Sequence, residues 1–157
     1  MKLTGKQKIL IAAGTLGLLW IAGKMYRAKD LTVRITRVDN VTASNNPLEG
    51  SGFTTDMQFI NPSDLALNIS LDTIIIKYNN QVLGQSYPDD RKLQIQAKSA
   101  VTFDNVKFQI PYINLLGAGI LKTVLQPGGF QNLIKSFEFL VNANVNGVNF
   151  QYLKRVE

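Results

Sequence analysis

The chain contains no cysteine and no histidine. Without cysteine there are no disulfides and no thiolate chemistry. Without histidine the commonest general base, the commonest zinc ligand and the near-neutral protonation switch are missing together. A nucleophilic triad in its usual form is therefore excluded. Paired carboxylates are the one common catalytic scheme left. The available acids are Asp56, Asp64, Asp72, Asp89, Asp90, Asp104 and Glu138. They fall at turns or on the outward parity of apolar-alternating segments, where solvated surface acids belong. Asp89-Asp90 lacks an EF-hand loop and reads as a capped turn after Pro88. Gly117-Ala-Gly119 lacks the third glycine and the lysine spacing of a phosphate loop. The sequence thus predicts no catalytic residues, no cofactor and no metal.

What the chain has is an uneven charge. The total is +6. Lys2, Lys6, Lys8, Lys24, Arg27, Lys29, Arg34 and Arg37 face Asp30 alone, a balance of +7, which leaves −1 for everything after residue 37. The basic pI belongs to the N-terminal region. A whole-domain basic patch of the kind that binds nucleic acid is not predicted.

Between Lys8 and Lys24 lies ILIAAGTLGLLWIAG, 15 residues without charge. As a helix it spans about 22 Å, and recruiting Met25 and Tyr26 while Lys24 snorkels extends this to about 27 Å, against a hydrocarbon core of about 30 Å. Ile9, Leu10, Ile11, Leu16, Leu18, Leu19 and Ile21 favour insertion, and Trp20 suits the headgroup boundary. Residues 1–30 are therefore predicted to form a single-pass membrane anchor, with Lys6, Lys8, Lys24, Arg27 and Lys29 at lipid headgroups. A cleaved signal peptide and a buried core helix are the alternatives. The first has a poor small-x-small site, since Ile21 sits two positions before Gly23, and the second does not suit two basic flanks. Both flanks are basic, so the positive-inside rule gives no orientation.

From Leu31 the period changes to two. Leu31, Val33 and Ile35 alternate with polar residues, as do Phe53, Met57 and Phe59, and then Leu65, Leu67, Ile69 and Leu71, with TIIIKY continuing to Tyr78. Val41 to Gly52 reads as a loop. Asn79-Asn80 suits a hairpin turn into QVLGQS, and Asn146-Gly147 a second one. KLQIQA is a short strand. VTFDNVKFQI shifts parity at Asp104-Asn105, which predicts a bulge. Pro111 ends that strand. Ile113, Leu116, Ile120 and Val124 recur at helical spacing up to Pro127-Gly128-Gly129, which predicts one helix. The fold class is mainly β: an antiparallel sandwich of seven to eight strands with one short helix over residues 31–157. The phenylalanines at period two are predicted core. Pro62 cannot donate to a ladder, so a strand that breaks at Asn61-Pro62 and resumes is expected to change sheets or bend sharply.

The run FINPSDLALNISLDTIIIKYNNQVLG, Phe59 to Gly84, together with FEFLVNANVNGVNF, Phe137 to Phe150, resembles the late embryogenesis abundant type 2 family, also called the WHy domain. The matching positions are Asn61, Pro62, Gly84 and Gly147, and the resemblance covers most of Leu31 to Phe150. It implies a fibronectin-like β-sandwich, often tethered by an N-terminal apolar segment and associated with stress tolerance. It implies no catalytic residues. The loop from Val41 to Gly52 matches nothing in it.

These features together predict a non-enzymatic module held at a bilayer, with lipid and other proteins of a membrane-associated assembly as partners. One form of this is a structural protein of a membrane-containing virion or similar assembly. The alternative class is a carrier that holds a lipid or small apolar ligand between the sheets.

Overall fold

The computed structural model describes residues 29–46 and 48–157, together with Gly23. The anchor positions from Ile9 to Ile21, and Lys6, Lys8, Lys24 and Arg27, lie outside the described residues. Among the described residues from 29 onward, eight antiparallel strands and three short helices follow in the order β1 (Thr32–Ala43), β2 (Ser51–Asn61), β3 (Leu67–Tyr78), β4 (Gln81–Ser86), β5 (Lys92–Ile95), β6 (Ser99–Ile110), α1 (Tyr112–Gly117), α2 (Leu121–Val124), α3 (Gly129–Ile134), β7 (Glu138–Val145) and β8 (Val148–Lys154).

The strands form a sandwich. One layer is β1-β2-β6. The other is built on β3, which pairs with β7 on one side and with β5 and then β4 on the other, while β8 lies beyond β7. The layers join through a short ladder between β4 and β6, Gln85 opposite Gln109 and Ser86 opposite Phe108. A parallel bridge between Ile35 and Val156, with Glu157 N–H donating to the Ile35 carbonyl at 3.2 Å, brings the chain's end back to β1.

The core follows from strict alternation. β2 sends Ser51, Phe53, Thr55, Met57, Phe59 and Asn61 inward, and β7 sends Phe139, Val141, Ala143 and Val145. Rings fill the space between the layers, where an apolar ligand of a carrier would have to sit. Phe53 stacks on Phe108 at 5.0 Å between centroids, and both meet Phe139 of the opposite layer edge-on. Burying rings of this size stabilises by about 2 kcal/mol or more each.

The predicted turns form. Asn79 and Asn80 both take positive φ, as do Asn146 and Gly147, the geometry of a tight hairpin turn. Asn105 takes φ +52° at the predicted bulge, and its N–H bonds the Asp56 carboxylate at 2.8 Å. Pro62 follows the last residue of β2, and the chain crosses there to the other layer as β3.

Three expectations need correction. First, the strand through Leu65 starts at Leu67; Leu65 is exposed, because the turn after Pro62 occupies residues 62–66. Second, the single helix is three short ones. Gly119 at φ +73° separates α1 from α2, and Leu115, Ile120 and Val124 face the core while Ile113 and Leu116 are exposed. Pro127-Gly128-Gly129 does not end the helical region. It leads into α3, whose Phe130 and Ile134 pack inward at i, i+4. Third, the loop between β1 and β2 is shorter than expected, since Thr42 pairs with Gly52 and Ala43 with Ser51.

Candidate binding cleft beside the β1–β2 loop

The family-motif residues turn out to be structural. Asn61 is fully buried. Its Nδ2 donates to the carbonyls of Leu65 at 2.7 Å and Gln96 at 3.0 Å, and its Oδ1 accepts from Ser63 N–H at 3.0 Å and Ser63 Oγ at 2.7 Å. The turn after Pro62 is thereby stapled to the β5–β6 connection. The Pro62 carbonyl accepts from Lys98 Nζ at 2.7 Å. Gly84 lies where β4 crosses β6, and a Cβ there would overlap the Gln109 carbonyl oxygen. Gly147 completes the β7–β8 turn.

Asp89 and Asp104 lie near each other because Arg91 binds both, at 2.6 and 2.7 Å, with its guanidinium 5.5 Å from the Phe103 ring. Hydrogen bonding from the Arg91 side chain holds the Asp89 carboxyl below its ordinary value, although burial works against this. Arg91 N–H also donates to Asp89 Oδ1, so the predicted cap forms. This is an ion pair holding the β4–β5 connection, with both carboxylates already occupied. Among the described residues no cluster of acids has the form of a metal site. Of the remaining acids, Asp56 accepts the Asn105 N–H, Asp64 pairs with Lys98 and Glu138 with Arg155. Lys29, the one predicted headgroup residue within the described residues, is exposed.

The unmatched loop builds the more open feature. Here the chain must turn from β1 into β2 at the end of the sandwich away from residue 31. Asn46 accepts Glu49 N–H and Gly50 N–H on its carbonyl, and Ser44 N–H donates to the Gly50 carbonyl at 2.9 Å. Gly50 has φ +73°, and a Cβ there would collide with the Ile110 carbonyl, so the position needs glycine on both counts. The loop stands beside the outward face of β1, β2 and β6 and closes a cleft of about 440 Å³.

Its walls are Asn40, Thr42, Ser44, Glu49, Thr54, Lys107, Gln109 and Tyr87. The floor is main chain, because Phe53 and Phe108 turn their rings inward, and Gly52 adds no side chain to it. A Cβ at Gly52 would come within 3.0 Å of Thr42 Oγ1. The wall groups are held in place. Tyr87 N–H donates to the Lys107 carbonyl at 2.9 Å, and Tyr87 OH donates to Gln109 Oε1 at 2.6 Å. Gln109 Nε2 in turn donates to the Glu49 carbonyl at 2.7 Å. Ser44 Oγ donates to the Glu49 carboxylate at 2.6 Å, and Asn40 Nδ2 to Thr54 Oγ1 at 3.1 Å. Tyr87 is nevertheless 49% exposed. On its other side a second hollow of about 340 Å³ is lined by Val82, Pro88, Pro111 and Asn114, with Tyr87 and Gln109 as the shared wall. Sequence reading misses this cleft. Its signals are Asn40, Gly50 and Gly52, which along the chain look like loop composition.

Among the described residues no helix is long and apolar enough to cross a membrane. No family model matches the chain, and no curated protein matches it. A solved structure of a protein from Archaeoglobus fulgidus is similar over 76% of this chain and 90% of that one, at 8% identity and a TM-score of 0.46.

Proposed function

We propose that this chain is a non-enzymatic contact module, a β-sandwich tethered to a bilayer by residues 1–30 that presents its far end to a partner. The observation that carries the reading is where the charge sits. Of the basic residues up to Arg37, Arg34 pairs with Glu157 and Arg37 with Asp39. By sequence, residues 1–30 carry six Lys and Arg against Asp30, a formal +5 that flanks the uncharged apolar run. Each base close to an anionic surface adds about 1 kcal/mol to its attraction. The folded body is left near neutral, as a module that works by contact rather than by field.

The geometry supports a contact role at the far end. β1 leaves the tether at Thr32, and the cleft begins at Asn40, about 25 Å further along at roughly 3.3 Å per residue. The resemblance to the late embryogenesis abundant type 2 family supports the same arrangement, since tethered members of that family carry no assigned catalytic residues.

Removing residues 1–29 tests the reading. The full chain is expected to stay with membranes through an alkaline carbonate wash, and the shortened one to appear folded in the supernatant. A shortened chain that still pellets with washed membranes overturns the tether.

A further inference from the structure

We infer that the cleft beside the β1–β2 loop is a binding site for a neutral oligosaccharide, with the Tyr87 ring as its platform. The inference rests on reading the far end of the sandwich as the contact face, and its test is separate from that of the tether.

The chemistry of the lining points to this ligand class. Beside the Tyr87 ring the cleft is lined by hydroxyls, amides, the small Ala43 and one charge of each sign, Glu49 and Lys107, over the main chain of Phe53 and Phe108. Opposite charges in one cleft give little net field, which disfavours a highly charged ligand of either sign. The volume lies within the usual range of small-molecule sites, about 300–1,000 Å³. A peptide anchor would need a pocket for an apolar side chain, and this cleft has a main-chain floor with polar walls. A polyol matches it. The wall offers both kinds of partner, Lys107 Nζ as a donor and Asn40 Oδ1 and Tyr87 Oη as acceptors.

Preorganisation is the second argument. A tyrosine ring exposed on a surface ordinarily loses rotamer freedom when a ligand stacks on it. Here Tyr87 is fixed before binding, by its main-chain bond to Lys107 and its hydroxyl bond to Gln109. Gln109 is itself fixed through its bond to the loop carbonyl of Glu49. An exposed ring held in this way offers an apolar face for the C–H side of a sugar ring at little entropic cost. The third argument is the second hollow on the ring's other side. Two concavities sharing one aromatic ridge suit a chain of sugar units that runs across Tyr87.

The experiment uses the full chain in a sugar-free detergent, with neutral gluco-, manno-, galacto- and N-acetylglucosamine oligosaccharides from mono- to tetrasaccharide. Binding is read by calorimetry and by amide shifts at Thr54 and Lys107. At least one series is expected to bind, with affinity rising about tenfold or more along its length. Tyr87→Ala and Lys107→Ala should each weaken binding by about tenfold or more and leave the melting temperature nearly unchanged. Gln151→Ala, on the outer face of the other sheet, should leave binding as it was. Tyr87→Phe keeps the ring but loses the hydroxyl bond to Gln109, so its affinity should fall between those of the parent and Tyr87→Ala, which separates stacking from a folding defect. Failure of every neutral series to bind overturns the inference, as does binding indifferent to Tyr87→Ala or confined to sulfated glycans. None of these results bears on membrane retention, so the tether stands or falls separately.

Discussion

Replacing Asn61 by alanine removes the side chain that ties the turn after Pro62 to the β5–β6 connection. Five hydrogen bonds are lost at once, three donated by Nδ2, the longest to the Ile95 carbonyl at 3.5 Å, and two accepted by Oδ1. Each contributes about 1 kcal/mol net, and the abandoned carbonyls of Leu65 and Gln96 recover some of theirs from water because both residues are exposed. The expected loss is about 2–4 kcal/mol. For a body of this size that lowers the melting temperature by about 6–15 °C. Thermal and urea unfolding of the full chain in detergent, followed by circular dichroism, measure it. Ser63→Ala, which removes one hydroxyl from the same cluster, should cost about 1 kcal/mol or less. Asn61→Asp adds a test of sign. A carboxylate facing the Leu65 and Gln96 carbonyls in a buried site has its folded pKa raised. Its penalty is then full above that folded pKa and shrinks as pH falls through it, because the protonated acid donates again. The gap between Asn61→Asp and the parent should therefore narrow from pH 7 to pH 4. An Asn61→Ala chain within about 0.5 kcal/mol of the parent, or an Asn61→Asp gap that widens in acid, would refute the staple.

Gly84→Ala should destabilise by about 2–4 kcal/mol, since the atoms it meets are main chain and cannot swing aside; a urea midpoint unchanged from the parent would contradict the close crossing. Thr55 is 1% exposed, and its hydroxyl has no partner among the described residues. Thr55→Val should therefore stabilise by about 1 kcal/mol, and a loss of stability would mean the hydroxyl is bonded. Burial pushes the Tyr152 phenol up to about 12. Its unfolded value is about 10, so the stability that the neutral phenol contributes is intact below pH 10 and is lost as pH rises towards 12. Ultraviolet titration should show a late-ionising phenol that Tyr152→Phe abolishes, with about 1–2 kcal/mol of the parent's alkaline sensitivity going with it.

The features of this fold that are legible in the sequence are those set by neighbours along the chain. Period-two phenylalanines, the paired asparagines at 79–80, Asn146-Gly147 and the parity slip at Asp104-Asn105 each reflect a local backbone requirement, and each appears where expected. The break at Asn61-Pro62 announces a change of sheet, but nothing along the chain marks Asn61 as a buried staple rather than a turn residue. Its partners Gln96 and Ser63 come together only after β5 has paired with β3. The helical segment departs from its period because inward facing is decided by what lies beneath. Ile113 and Leu116 fit the period of one long helix, but the break at Gly119 leaves a short α1 that buries Leu115 instead. The cleft is illegible for a stronger reason. Asn40, Glu49, Tyr87 and Lys107 come from four segments, and the register of β2 on β6 and the crossing at Gly84 bring them together. No spacing in the chain encodes those two facts.

The chain enters the sandwich as β1, which is paired along nearly its whole length with antiparallel β2 from Thr32–Ile60 to Ala43–Ser51. A pull arriving through residue 31 runs along this strand and loads its hydrogen bonds side by side. They must give way together, as in lap shear, rather than open singly in succession like a zip. The Ile35–Val156 bridge adds a short lock close to the point of load. A load directed along β1 therefore meets more resistance than one that peels this edge strand away from β2.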